Sequence, residues 1–197
     1  MATIDYYFAP QSPWTYLGHA RFVGIAAGAR VQVMPADFGR IFAASGGLPL
    51  ARRAPQRQAY RLVELKRFAD WLGMPLNLHP AHFPVAADPA ARLIVAVEQA
   101  DGAAAALALA GRVLAACWVE QRDIAEARTL AELLAEAGLP AVRLDESAQP
   151  AAQQRCDANT ERAIAAGVFG APSYVVDGEI FWGQDRLDFL ARRLASG

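Results

Sequence analysis

The stretch "FAPQSPWTYL", Phe8–Leu17, decides the fold of this chain. It runs from an apolar, strand-like segment directly into a helix-like one, with Ser12-Pro13 at the corner. Serine is a strong N-cap residue because its side-chain oxygen accepts from an unpaired N–H of the first turn. Proline suits the first helical position, where its missing N–H is no loss. Upstream, "TIDYYFA" (Thr3–Ala9) is β-branched and aromatic and reads as a buried strand. Downstream, the pattern predicts a helix from Pro13 to Ala27, stopped by Gly28. "RVQVMPADF" alternates apolar and polar residues, so Arg30–Asp37 is expected to be a second strand. Strand, helix, strand with a short return is a βαβ unit, and its strands should be parallel.

From about Arg40 to Gly167 the periodicity is helical. "QRQAYRLVELKRFADWLG" places Tyr60, Val63, Leu65, Phe68, Ala69 and Leu72 on one side and is closed by Gly73 and Pro75. Asp88-Pro89 reads as an N-cap and first-turn pair before "AARLIVAVEQADG". Two alanine-rich helices follow, and a last one covers roughly Ala151 to Ala166. "AVRL", Ala141–Leu144, is the one short strand-like run in this span.

Beyond it the texture returns to strand. "SYVVDGEIFW" holds two β-rich runs around Asp177-Gly178, a dipeptide suited to a type I′ hairpin turn. A helix from Arg186 to Ala195 ends the chain. The order is βαβ, a helical block, then ββα. The expected fold is α/β and thioredoxin-like, with residues 1–39 and 167–197 forming one discontinuous sheet domain and 40–166 a large all-helical insertion.

Composition bounds the function. The 197 residues are 54% hydrophobic and 20% charged, with a net charge of -1. That balance argues against a nucleic-acid partner, which calls for a basic excess. No segment has the apolar length of a membrane span, and "MATIDYYFAP" lacks the basic start of a signal peptide. The expectation is a cytoplasmic protein. Cys117 and Cys156 are the only cysteines, without C-x-x-C or zinc-like spacing to His19, His79 and His82, so no metal site is expected.

In the thioredoxin layout the reactive group stands at the start of the first helix. Unpaired N–H groups and the positive end of the helix dipole stabilise an anion there. Here the cysteine positions hold Ser12 and Thr15, so the chain lacks a low-pKa thiol of its own at this corner. Ser12 is either an N-cap alone or a donor to a thiolate brought by another molecule, whose charged form that bond would favour. Glutathione is the obvious cytosolic carrier of such a thiol. A second signal is "GVFGAPSYVVDGEIFWGQDRL", Gly167–Leu187. The backbone before Pro172 could pair with an extended peptide-like ligand. Asp185 either caps the last helix or, within the Gly183-Gln184-Asp185 loop, binds a γ-glutamyl group.

On "DYYFAPQSPWTYL", "QAYRLVELKRFADWLGMP" and "GVFGAPSYVVDGEIFWGQDRL", in order over nearly the whole chain, the sequence resembles the glutathione-dependent 2-hydroxychromene-2-carboxylate isomerases. These are relatives of kappa-class glutathione transferases and DsbA-type oxidoreductases. The resemblance implies a homodimer with glutathione as cofactor and a small aromatic substrate. It implies that Ser12 is the catalytic serine, and that Ala171 and Pro172 meet the cysteinyl part of glutathione. Trp182, Gly183, Gln184 and Asp185 match the loop that holds the γ-glutamyl part, where the family more often has Asn in place of Gln184. Phe83, in "HPAHFP", matches an aromatic wall on the substrate side.

Two family residues that face the anionic substrate are missing. Phe42 stands where a lysine is expected, and the following loop has no asparagine. The segment offers Arg40, Arg52, Arg53, Arg57 and Arg61 instead, either as a solvated helix face or as carboxylate partners, with Arg57 the candidate for substrate binding. Two other functions stay open: a kappa-class-like transferase or peroxidase acting on another electrophile, and a binding module that has lost its chemistry.

Overall fold

The computed structural model describes residues 1–196. Strands β1 (Thr3–Phe8), β2 (Arg30–Pro35), β3 (Ser173–Val176) and β4 (Glu179–Trp182) form one sheet in the order β2-β1-β3-β4. β1 and β2 are parallel, with Thr3 opposite Arg30 and Phe8 opposite Pro35. β3 runs antiparallel to β1, with Tyr7 opposite Ser173, and pairs with β4 as a hairpin. Asp177 and Gly178 have φ of 50° and 83°, the positive pair that a type I′ turn requires. This is the expected α/β thioredoxin-like arrangement. Its register fixes the site: pairing of Tyr7 with Ser173 brings the corner after β1 beside Ala171-Pro172, just before β3.

Helix α1 (Pro13–Ile25) joins β1 to β2, and α2 (Phe38–Ser45) follows β2. Between α2 and β3 come α3 (Pro55–Leu72), α4 (Asp88–Asp101), α5 (Ala103–Trp118), α6 (Ala127–Glu136), α7 (Val142–Ser147) and α8 (Pro150–Ala165); α9 (Leu187–Ala195) closes the chain. Among the described residues, no helix is long and apolar enough to cross a membrane.

Three local expectations change. β2 stops at Pro35 because Asp37 is a cap: its carboxylate accepts from Gly39 N–H at 2.7 Å and Arg40 N–H at 3.3 Å, and so starts α2. The strand-like run "AVRL" lies in the turn and first residues of α7, where Arg143 pairs with Glu146 three residues on and with Asp101 of α4. Those pairs need helical spacing, and a strand would separate them. Asp88 is the first residue of α4 and not its cap, because Ala91 N–H already bonds Ala87 O at 2.9 Å. Its charge still suits the helix start.

Alternation along β1 divides the core. Ile4, Tyr6 and Phe8 face a cluster with Leu17 and Phe22 of α1, Leu93 and Val97 of α4, and Leu109, Val113 and Trp118 of α5. Tyr7 points to the opposite face, with Met34, Phe38, Ile41, Ala163 and Val175. Both faces of the sheet are thus covered, as an α/β layer requires.

One polar chain crosses the first cluster. His19 of α1 is 6% exposed. Its Nε2–H donates to Leu107 O at 2.9 Å, which leaves Nδ1 to accept from Tyr6 O–H at 3.0 Å. Burial holds the imidazole below its ordinary value of 6.5. The unfolded chain therefore takes up this proton first, and the His19 contribution to stability is complete above about pH 6.5 and shrinks as pH falls below it. In thermal unfolding at matched ionic strength, the wild-type melting temperature should drop between pH 7 and pH 5 more than that of His19→Gln. Parallel curves would show that His19 does not carry the dependence.

Candidate active site

The corner after β1 is built from local hydrogen bonds. Ser12 N–H closes the turn onto Ala9 O at 2.9 Å, and Tyr16 N–H bonds Ser12 O at 3.0 Å as α1 begins. Ser12 Oγ accepts from Thr15 N–H at 3.2 Å, so the serine is an N-cap. A hydroxyl has one donor and two lone pairs, and capping uses only a lone pair. Among the described residues, the Ser12 O–H donates to no protein acceptor, and the side chain is half-buried on the wall of a cavity of about 570 Å³. Capping and hydrogen bonding to a guest are thus compatible roles for one atom.

Trp14, Phe42, Phe83, Arg57, Ala171 and Trp182 line the same cavity. An adjoining one of about 520 Å³ is lined by Trp182, Gly183, Gln184, Asp185 and Arg186. Trp14, Arg53, Arg57, Arg61, Ala171 and Trp182 border both, so the two are halves of one cleft. The cleft gathers Ser12, Arg57, Phe83, Ala171, Trp182, Gly183, Gln184 and Asp185. Pro172 is buried beneath it, joined to Ala171 by a cis peptide bond, and its carbonyl accepts from Gly183 N–H at 2.9 Å. Gly170 permits the close approach of Trp182, whose Nε1 would lie 2.2 Å from a Cβ there.

Within the loop after β4 the side chains divide the work. Gln184 is 2% exposed and turned inward. Arg21 of α1 donates to its backbone carbonyl at 2.8 Å and also to its side-chain oxygen. Gln184 therefore anchors the loop to the helix that carries Ser12. The packing needs Gly18, because a Cβ there would stand 2.8 Å from Gln184 Cβ. Asp185 is exposed, pairs with Arg186, and makes no side-chain cap bond to α9, whose N-cap is Arg186. Its carboxylate remains at the cleft.

The arginines sort by position. Arg40 pairs with Asp157 and Glu161 of α8 and lies outside the cleft. Arg52 is also absent from its walls, whereas Arg53, Arg57 and Arg61 line it. Arg57 and Arg61 are four apart on α3 and share one helix face. Arg61 lies over Phe83 at 5.5 Å and Trp118 at 5.9 Å, and Arg53 over Phe42 at 5.8 Å. No carboxylate lines the Ser12 cavity. Burial, reinforced by Arg53, pushes the Arg61 guanidinium down to about 10, and burial with Arg57 nearby lowers Arg53. Like charges held together without an ion-pair partner repel one another, and an anionic guest would relieve that repulsion. Arg53 and Arg61 belong with Arg57 in the site; their four-residue spacing was the sequence signal for them.

Other reactive groups lie elsewhere. Both cysteine thiols are buried, and burial pushes each up to about 12. Neither lines the Ser12 cavity, so the chain offers no sulfur nucleophile there. His79 is exposed, and His82 faces the Asp123 carboxylate at 3.7 Å; neither borders the cleft.

The chain matches the family described as DSBA-like thioredoxin domain over residues 3–195. It is 33% identical over 192 residues to the 2-hydroxychromene-2-carboxylate isomerase of Sphingobium xenophagum, covering 95% of each chain. It is 30% identical over 197 residues to the protein of that name from Pseudomonas putida, covering 95% of this chain and 91% of that one. A solved 2-hydroxychromene-2-carboxylate isomerase superposes with a TM-score of 0.82 at 27% identity, over 98% of this chain and 95% of the other. On these matches the chain belongs to the 2-hydroxychromene-2-carboxylate isomerase family, built on a DsbA-like thioredoxin domain.

Proposed function

We propose that the cleft binds glutathione beside an aromatic carboxylic acid and catalyses cis-trans isomerisation of the 2-hydroxychromene-2-carboxylate type, within the breakdown of naphthalene-like aromatics. The observation that carries this reading is the unspent O–H of Ser12 in an arginine-lined, aromatic cleft that has no thiol of its own. The residues fit glutathione: a free hydroxyl donor at a helix start, a backbone segment at Ala171, and the Asp185 carboxylate. When bound, glutathione supplies a thiolate that adds reversibly to a conjugated double bond, so that the bond can rotate before the thiolate leaves.

The chain's own groups do the rest. Ser12 donates to the sulfur anion and, with the α1 N-terminus, favours its charged form. Ala171 offers its backbone to the cysteinyl part, over Pro172. Asp185 pairs with the α-amino group of the γ-glutamyl part, on a loop formed with Trp182 and Gly183 and anchored through Gln184. Arg57 and its neighbours hold the substrate carboxylate and offset negative charge that builds on the substrate. Phe83 and Trp14 wall the ring. A cytosolic location, where glutathione is the main thiol, and a homodimer belong to the same proposal.

Isothermal titration with glutathione, paired with hydroxychromene absorbance followed with and without it, tests this reading. Binding at millimolar glutathione and a decay that requires it are expected. Absence of binding at that concentration would sink the proposal.

A further inference from the structure

Behind the Ser12 cavity lies another, of about 580 Å³. The two have Gln11, Phe38, Phe42, Leu50 and Phe83 in common. The inner walls of the rear chamber are apolar: Phe38 and Phe42 of α2, Leu50, Val85 in the loop before α4, and Ala91 of α4. Its carboxylates, Asp37, Asp88 and Asp157, are exposed and stand at its rim. No arginine or lysine lines it.

The two compartments therefore differ in charge. The front has three guanidinium groups and no carboxylate on its walls, whereas the rim of the rear holds Asp37, Asp88 and Asp157, of which Asp157 is paired with Arg40. A carboxylate is attracted to the front and repelled from the rear, whereas a hydrocarbon ring gains from the rear walls. Gln11 stands at the junction, and its side-chain oxygen is buried without a partner, an acceptor available to a ring hydroxyl.

We infer that the rear chamber is the second half of the acceptor site, receiving the distal fused ring of a polycyclic aromatic acid whose carboxylate rests on the arginine face. The inference rests on the proposed function for the chemistry at Ser12, and its binding component can be read without turnover. Phe42, which stands where the family's lysine is expected, then gains a purpose. An apolar ring replaces a charge at the entrance to the chamber, and the carboxylate contact moves to α3.

Titration calorimetry of the whole chain with benzoate, 2-naphthoate and 2-anthroate, without glutathione, reads the chamber directly. Affinity should rise about tenfold from two rings to three, the scale expected for burying a fused ring. Val85→Trp and Ala51→Phe both place bulk in the chamber. Either should remove the third-ring gain and leave benzoate binding unchanged within about twofold. Absence of binding, an affinity flat from two rings to three, or a gain that survives both substitutions overturns the inference. Turnover is scored separately with bicyclic and benzo-fused hydroxychromene acids. Failure of both with glutathione refutes the isomerase reading, while the ring series still decides the chamber.

Discussion

Ser12→Ala should lower turnover by roughly 10²-fold, the low end of what one positioned polar group contributes to a reaction. The reason lies in the two uses of one oxygen. Its lone pair caps α1 through Thr15 N–H, and its O–H is left without a protein acceptor, free for the sulfur of the proposed glutathione. Removing the cap alone costs about 1 kcal/mol of stability, which a melting curve measures directly. Ser12→Asp separates the roles, because aspartate caps a helix as well as serine but has no O–H and places a negative charge beside the thiolate. The aspartate variant should therefore melt near the wild type, turn over more slowly than Ser12→Ala, and weaken the ultraviolet thiolate absorbance of bound glutathione. If Ser12 were only a cap, Ser12→Ala would lose stability but keep full activity. That outcome would leave activation of the sulfur to the helix terminus alone.

The corner was legible in the sequence because its chemistry is local. Ser12-Pro13 starts a helix and Asp177-Gly178 turns a hairpin through preferences of a few adjacent residues, which no distant contact overrides here. The thioredoxin-like order followed from the spacing of those signals. Asp88 and Asp185 show the limit of the same reasoning. Each has the right residue type for a cap, but the helix register was set by backbone bonding and packing that place the true cap one residue away.

What stayed hidden depends on contacts between distant parts of the chain. Arg21 reaches Gln184 across the fold, and neither residue's neighbours announce the pairing. A sequence reading can put Gln184 in the loop, but only the packing of that loop against α1 at Gly18 and Arg21 turns its side chain inward. The arginines are an intermediate case. Arg40, Arg53, Arg57 and Arg61 look alike in sequence. Two carboxylates on α8 claim Arg40, and the other three line the cleft with no ion pair among the described residues. Partner supply, a property of the fold, decides which arginines are free for a ligand.

That asymmetry makes the arginine face the second large effect. Substituting Arg57→Gln should raise KM for an aromatic carboxylate about tenfold, and Arg57→Gln with Arg61→Gln about 10²-fold, since a hydrogen bond to a charged group contributes about 1.5–3 kcal/mol. Both side chains border the Ser12 cavity, and Arg61 is held over Phe83 and Trp118, so its fork is already oriented before an anion arrives. Arg40→Gln removes the same charge from the chain but touches only α8, and should leave KM unchanged. Comparing these variants separates a specific carboxylate contact from a general change in net charge. Raising ionic strength should weaken binding to the wild type more than to the double variant, because screening acts on the charges that remain. A neutral ester of the same acid should bind all variants alike. If the double substitution left KM for the acid unchanged, the carboxylate would have to be held by groups other than these arginines, and the uncompensated charge of the cleft would belong to glutathione alone.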